Sequence, residues 1–191
     1  MYEYTLIRSR RKTISLEINN KAELIVRAPM RVPNYEIQRF VDEKSSWIEK
    51  HIASVRKRME KARDIEPVGR WELRDLTEEA LRVLPARVKH YAEIIGVTYG
   101  HITIRNQKTL WGSCSSKGNL NFNCMLMRAP EHIQDYVVVH ELCHRKEMNH
   151  SKRFWELVCE VIPDYRQCRK WLKEEGQALL ISSHMDRKNT I

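Results

Sequence analysis

The chain has 191 residues, with 34 Lys+Arg against 25 Asp+Glu and a formal net charge of +9. That length suits one medium domain, or a core domain with a small extension, and can bury a real core. With 31% charged residues and no apolar run near the ~20 residues a membrane span needs, a membrane-spanning helix is excluded.

The start, Met1-Tyr2-Glu3-Tyr4-Thr5, lacks the apolar core of a secretory signal. The five cysteines (Cys114, Cys124, Cys143, Cys159, Cys168) are odd in number and irregularly spaced, which reads as reduced thiols and a cytoplasmic protein. The positive charge is uneven: residues 1–70 hold 16 Lys+Arg against 10 Asp+Glu, while 71–137 hold 8 against 7 and 138–191 hold 10 against 8. Arg8-Ser9-Arg10-Arg11-Lys12 and Arg56-Lys57-Arg58 contribute to this excess, a surface able to attract nucleic acid, nucleotides or acidic protein.

In chain order, residues 2–8, 12–18 and 22–28 read as three short strands, because Ile14, Leu16 and Ile18 alternate with polar partners, as do Leu24 and Val26. Turns at Arg10-Arg11 and Asn19-Asn20 make these a hairpin or meander. Asn34 is placed to cap a long helix to about residue 61, whose apolar stripe is Ile37, Phe40, Val41, Trp47, Ile48, Ile52, Val55 and Met59. A connector over 62–74 leads to a helix capped by Asp75 with Glu78, kinked or divided at Pro85 and closed by Gly96.

A second β-region follows. Ile102 and Ile104 lead one strand, and Leu110–Cys114 with Leu120–Leu126 form a hairpin around Ser115-Ser116-Lys117-Gly118. Pro130 then opens a helix through Tyr136-Val137-Val138-Val139, apolar almost all round and so buried. A helix after His150 runs to about residue 161, and Asp164 caps the last one; from Gly176 onward the pattern is weak and a mobile tail is expected. The expected division is an N-terminal module over 1–70, a core over 71–178 and a tail over 179–191.

The chemistry concentrates in His140-Glu141-Leu142-Cys143-His144, an H-E-x-x-H pattern. Residues four apart share a helix face, so His140 and His144 can offer two imidazoles to one metal ion. Glu141, one step round, sits beside that ion and can take a proton from a water the metal activates. His150 is the candidate third ligand. An unbroken helix would turn it roughly 120° away, so the helix should end before it, with Asn149 in a left-handed turn and Ser151 capping the next helix.

Together with Trp111-Gly112-Ser113-Cys114-Ser115, Arg27-Ala28-Pro29, Ile104-Arg105-Asn106-Gln107 and Pro163-Asp164-Tyr165, this stretch resembles the YgjP-like metallopeptidases, zincin-type proteins similar to the SprT and WLM proteases. The resemblance runs from about Arg8 to Glu175. It implies an α+β zincin-like core, a small antiparallel sheet packed on helices, after the N-terminal strands and helix. It also implies one Zn²⁺ on His140, His144 and His150, with Glu141 as general base. Metzincins share the third-His spacing but need Gly where Glu147 stands, and Met185 makes no Met-turn. In zincins the strand beside the metal helix is an edge that pairs with substrate, a role that Asn119, Asn121 and Asn123 fit.

A zinc-dependent peptidase is therefore expected, acting on a peptide or protein, with Tyr165 or Arg169 as candidate stabilisers of the transition state. The alternatives are a nucleoside triphosphate pyrophosphatase acting on a nucleotide, and a non-catalytic module binding nucleic acid or protein around a structural zinc.

Overall fold

The computed structural model describes residues 2–184. Residues 1–61 and 62–191 form two compact units, so the division lies before the expected boundary near 70 and within a helix. Among the described residues no helix is long and apolar enough to cross a membrane. Met185 and the remaining C-terminal residues lie outside the described residues.

In the first unit β1 (Tyr4–Ser9), β2 (Ser15–Ile18) and β3 (Leu24–Pro29) form a sheet in the order β1-β3-β2. β2 and β3 are the expected antiparallel hairpin, but β1 pairs parallel to β3, which rules out a meander. The cause is visible in β3. Its Leu24, Val26 and Ala28 are buried, so it takes the centre and accepts a neighbour on each edge. At the hairpin turn the Asn19 side chain accepts from the backbone N–H of Lys21 and Glu23, and Ala22 rather than an Asn takes the positive φ of 62°.

The helix expected over 34–61 is two: α1 (Asn34–Glu43) and α2 (Ser45–Arg63), parted at Lys44, the C-cap of α1. Asn34 does not cap, because its Oδ1 accepts from Arg8 Nη2 at 2.6 Å. Arg8 Nη1 also donates to the carbonyls of Pro29, Met30 and Val32, which knits the turn into α1. Ile37, Val41 and Ile48 join the sheet's buried residues in the core. Trp47 does not: it is 38% exposed.

The second unit begins with α3 (Arg70–Ile95), which starts before Asp75 because the Gly69 carbonyl already accepts from Leu73 N at 2.9 Å. The helix runs unbroken through Pro85. Proline removes one ladder bond, and the buried residues Leu84, Val88 and Ala92 hold the helix on the core across that gap. Gly96, at φ 71°, ends it as expected. β4 (Ile102–Arg105), β5 (Gly112–Cys114) and β6 (Leu120–Asn123) form a mixed sheet, β4 parallel and β5 antiparallel to β6.

A 3₁₀ turn over Cys124–Arg128 leads to α4 (Glu131–Cys143), the helix of the H-E-x-x-H pattern. α4 is tied to α3 by Arg87, whose Nη1 lies 2.6 Å from Asp135 and Nη2 3.3 Å from Glu131. α5 (Lys152–Val161), α6 (Tyr165–Trp171), a π-turn (Leu172–Gly176) and α7 (Gln177–Ser182) complete the unit. The expected mobile tail is in part wrong. Leu180 is fully buried in the main core, and Gly176 lies against the Trp111 indole, where a Cβ would approach within 3.0 Å.

Candidate metal centre

α4 reaches the site through its burial: Val137, Val138, Val139 and Leu142 anchor it in the core, and His140 and His144 stand one turn apart on one side. The helix ends at Cys143 with His144 as C-cap. The turn uses the N–H groups of Lys146 and Glu147, both bonding the Cys143 carbonyl. Asn149 is not left-handed, since Ala22 is the one non-glycine residue with positive φ among the described residues. Ser151 caps α5 as expected, its Oγ accepting from Phe154 N.

This turn brings His150 back. Ring nitrogens of His140, His144 and His150 all lie within 4.8 Å of one another, with the Nε2 atoms of His140 and His150 3.0 Å apart. Two nitrogens on one tetrahedral zinc would stand about 3.3 Å apart, given Zn–N bonds of ~2.0–2.1 Å. His144 Nδ1 donates to the Glu147 carbonyl at 3.1 Å, leaving its Nε2 lone pair free to ligate. His140 Nδ1 faces the Tyr136 hydroxyl at 3.4 Å. The donor set therefore fits a zinc-type ion.

In the metal-free protein His140, His150 and Glu141 resist charging. Burial, and then the neighbouring His144, His150 and Arg169, push His140 down to about 3. His150 is lowered by burial, His144 and Arg169. Glu141 is 5% exposed, and burial alone raises it to about 8. The raised carboxyl contributes stability that is complete below ~4.5 and lost as pH rises through about 8. The depressed His140 contributes stability present above ~6.5 and lost as pH falls toward about 3. Chelator-treated protein is thus expected to weaken between pH 6.5 and 8, by up to ~1.4 kcal/mol per pH unit from Glu141. A bound cation would remove that slope by favouring the carboxylate. Urea unfolding of chelated and zinc-loaded protein across this range checks it, and matching profiles would contradict it.

The strand beside Glu141 is β5, and its first residue is shaped for that neighbour. A Cβ on Gly112 would lie 2.8 Å from both Cγ and Oε1 of Glu141. Gly112→Ala is expected to retain metal but lose at least tenfold in turnover by displacing the carboxyl; unchanged kinetics would show the side chain has room to yield. The spacing of the Trp-Gly-Ser-Cys block gives no hint of this contact, since it requires β5 and α4 to be adjacent.

The asparagine row is not at an edge. β6 is the central strand, so its backbone is paired on both sides. Asn123 is fully buried, donating to the carbonyls of Gln107 and Leu110 and accepting from Met125 N. Asn121 donates to Ser113 Oγ, and Asn119 Oδ1 accepts from His101 N. Asn119 and Asn123 tie loops to the sheet, Asn121 ties β6 to β5, and β4 and β5 are the edges.

Trp155, in α5, organises the flank of the site. Its ring stacks on His150 (5.5 Å, 20°) and on Tyr165 (5.3 Å, 14°). The Arg169 guanidinium lies 4.2 Å from its ring centre. Tyr165 is buried in this stack, whereas Arg169 is exposed, with its charge felt at His140 and His150. Arg145, just past His144, donates to the Thr98 and Ser116 carbonyls and fixes the end of α4 to the hairpin tip.

A family model described as YgjP-like, metallopeptidase domain matches residues 12–73 and 69–175. The chain is 36% identical over 67 residues to the UTP pyrophosphatase of Escherichia coli (strain K12), covering 33% of this chain and 40% of that relative. This match therefore spans less than half of the relative's length. Among solved structures, the metallopeptidase zymogen of Pyrococcus abyssi abylysin is similar at a TM-score of 0.46 and 22% identity, covering 50% of this chain and 97% of that one.

Proposed function

This chain belongs to the YgjP-like metallopeptidase domain family, and on that premise we propose that it is a zinc-dependent hydrolase of peptide bonds. The observation that carries the reading is the convergence of three imidazoles beside the buried carboxyl of Glu141. Zinc held by His140, His144 and His150 would supply Lewis acidity and lower the pKa of a bound water to ~7.

Glu141 takes the proton from the attacking water and passes it to the leaving amine. Its burial shields this exchange from bulk water. Arg169, exposed and held over Trp155, is the group we assign to the oxyanion. Tyr165, with its ring stacked and buried, supports Trp155 instead. The free edge of β5, next to Glu141, suits an extended peptide added as a further strand.

A second reading has specific support: a nucleoside triphosphate as substrate. The curated relative is a UTP pyrophosphatase, and an exposed arginine beside the imidazoles suits a phosphate. Structural zinc is disfavoured because the histidine group has three members, whereas closed structural sites use four ligands. Cys143, the nearest thiol in sequence, is buried in the main core and is not part of the histidine group. The deciding experiment offers zinc-loaded protein a peptide mixture and UTP in parallel, with and without chelator. Chelator-sensitive peptide cleavage supports the peptidase, and chelator-sensitive pyrophosphate release with intact peptides replaces it with the second reading.

A further inference from the structure

Helix α2 has two faces of opposite character. Ile48, Val55 and Ala62 are buried. On the other side Trp47, Lys50, His51, Ser54, Lys57 and Arg58 recur at three- and four-residue steps, forming one stripe about 16 Å long. The two acidic residues of α2 lie off this stripe: Glu49 accepts from the Tyr2 hydroxyl at 2.7 Å, and Glu60 falls on the far side of the helix from Trp47.

The head of the stripe is an ordered aromatic pair. The Trp47 and His51 rings stack with centres 3.9 Å apart and planes 25° apart. His51 Nδ1 donates to the Trp47 carbonyl at 2.7 Å, which fixes the imidazole on the indole. Trp47 stays 38% exposed, an unusual place for the largest apolar side chain when a buried stripe runs along the same helix. Further along, Arg58 Nη2 donates to Ser54 Oγ at 2.9 Å, laying the guanidinium along the helix surface.

We propose that this face of α2 binds single-stranded nucleic acid, a base stacking on the Trp47–His51 pair while Lys50, Lys57 and Arg58 neutralise phosphates. Charge complementarity selects a polyanion: the stripe holds three cations and no carboxylate, within 61 residues that carry 14 Lys+Arg against 8 Asp+Glu. The ring pair narrows the class. Unpaired bases present flat faces for stacking on aromatics, and cations track the backbone beside them. In a duplex those faces are already stacked on one another, and an acidic peptide carries none. This function is independent of the hydrolytic site.

The test is fluorescence anisotropy of the full chain with a fluorescein-labelled oligothymidylate at several salt concentrations. Trp47→Leu is expected to weaken binding about tenfold with the salt slope unchanged. Lys57→Gln is expected to weaken it and reduce the slope by ~0.7. Trp47 and Lys57 are exposed, so neither change opens the core, and circular dichroism verifies the fold. Absence of wild-type binding, wild-type affinity in Trp47→Leu, or equal affinity for a duplex or for polyglutamate would each overturn the proposal.

Discussion

Glu141→Gln is expected to purify with its metal and to lose turnover by about 10²–10⁴-fold, the range that a positioned general base contributes. The amide keeps the shape of the side chain and its packing against Gly112, so geometry is preserved while the proton acceptor is removed. Because Glu141 is buried without an ionised partner driving its shift, neutralising it should leave the metal-free fold as stable or more stable above pH 6.5. Elemental analysis, unfolding and turnover on whichever substrate the wild type cleaves check all three. Near wild-type activity would remove Glu141 from the mechanism.

His150→Ala is expected to lower zinc affinity by more than about 100-fold, because even changes to groups that only orient a ligand cost 10–100-fold. The loss should come without global unfolding. His150 is an exposed turn residue, and α5 is capped independently by Ser151. Equilibrium dialysis against zinc measures the change. Unaltered affinity would mean that His140 and His144 find their third partner elsewhere, and the reading of Arg169 beside that site would fall with it.

The site was far more legible than the sheets. H-E-x-x-H and the six-residue step to His150 are local facts, and helix periodicity turns them directly into geometry. Even the helix end was forced by that step, although the turn closes through Cys143 carbonyl bonds rather than a left-handed Asn149. The strand orders could not be read in the same way. Strands over 2–8, 12–18 and 22–28 are readable from the alternation of Ile14, Leu16 and Ile18 and of Leu24 and Val26 with the turns between them, but which pairs with which depends on which strand is most buried once the helices pack.

The asparagines in and just before β6 illustrate the same limit. Three polar residues at alternate positions look like a solvated edge, and only the tertiary fold shows Asn123 satisfied by two carbonyls inside the core. Trp47 fails in the opposite direction. Its spacing from Ile48 and Val55 was compatible with a wide apolar stripe, yet it lies outside the arc that faces the sheet. Glycine contacts such as Gly112 with Glu141 are invisible to any single-sequence pattern, because the residue's importance lies in the side chain it lacks.

The parallel placement of β1 also bears on which backbone edges of this sheet are covered. β1 is the outer neighbour of β3, so it covers one side of that central strand. Trimming through Ser9 would leave a two-stranded ribbon and expose the backbone donors and acceptors of β3, whose Leu24, Val26 and Ala28 form an apolar, β-prone row. Such an edge is a template for another chain. Loss of β1 would therefore turn a covered central strand into a site for strand exchange and aggregation.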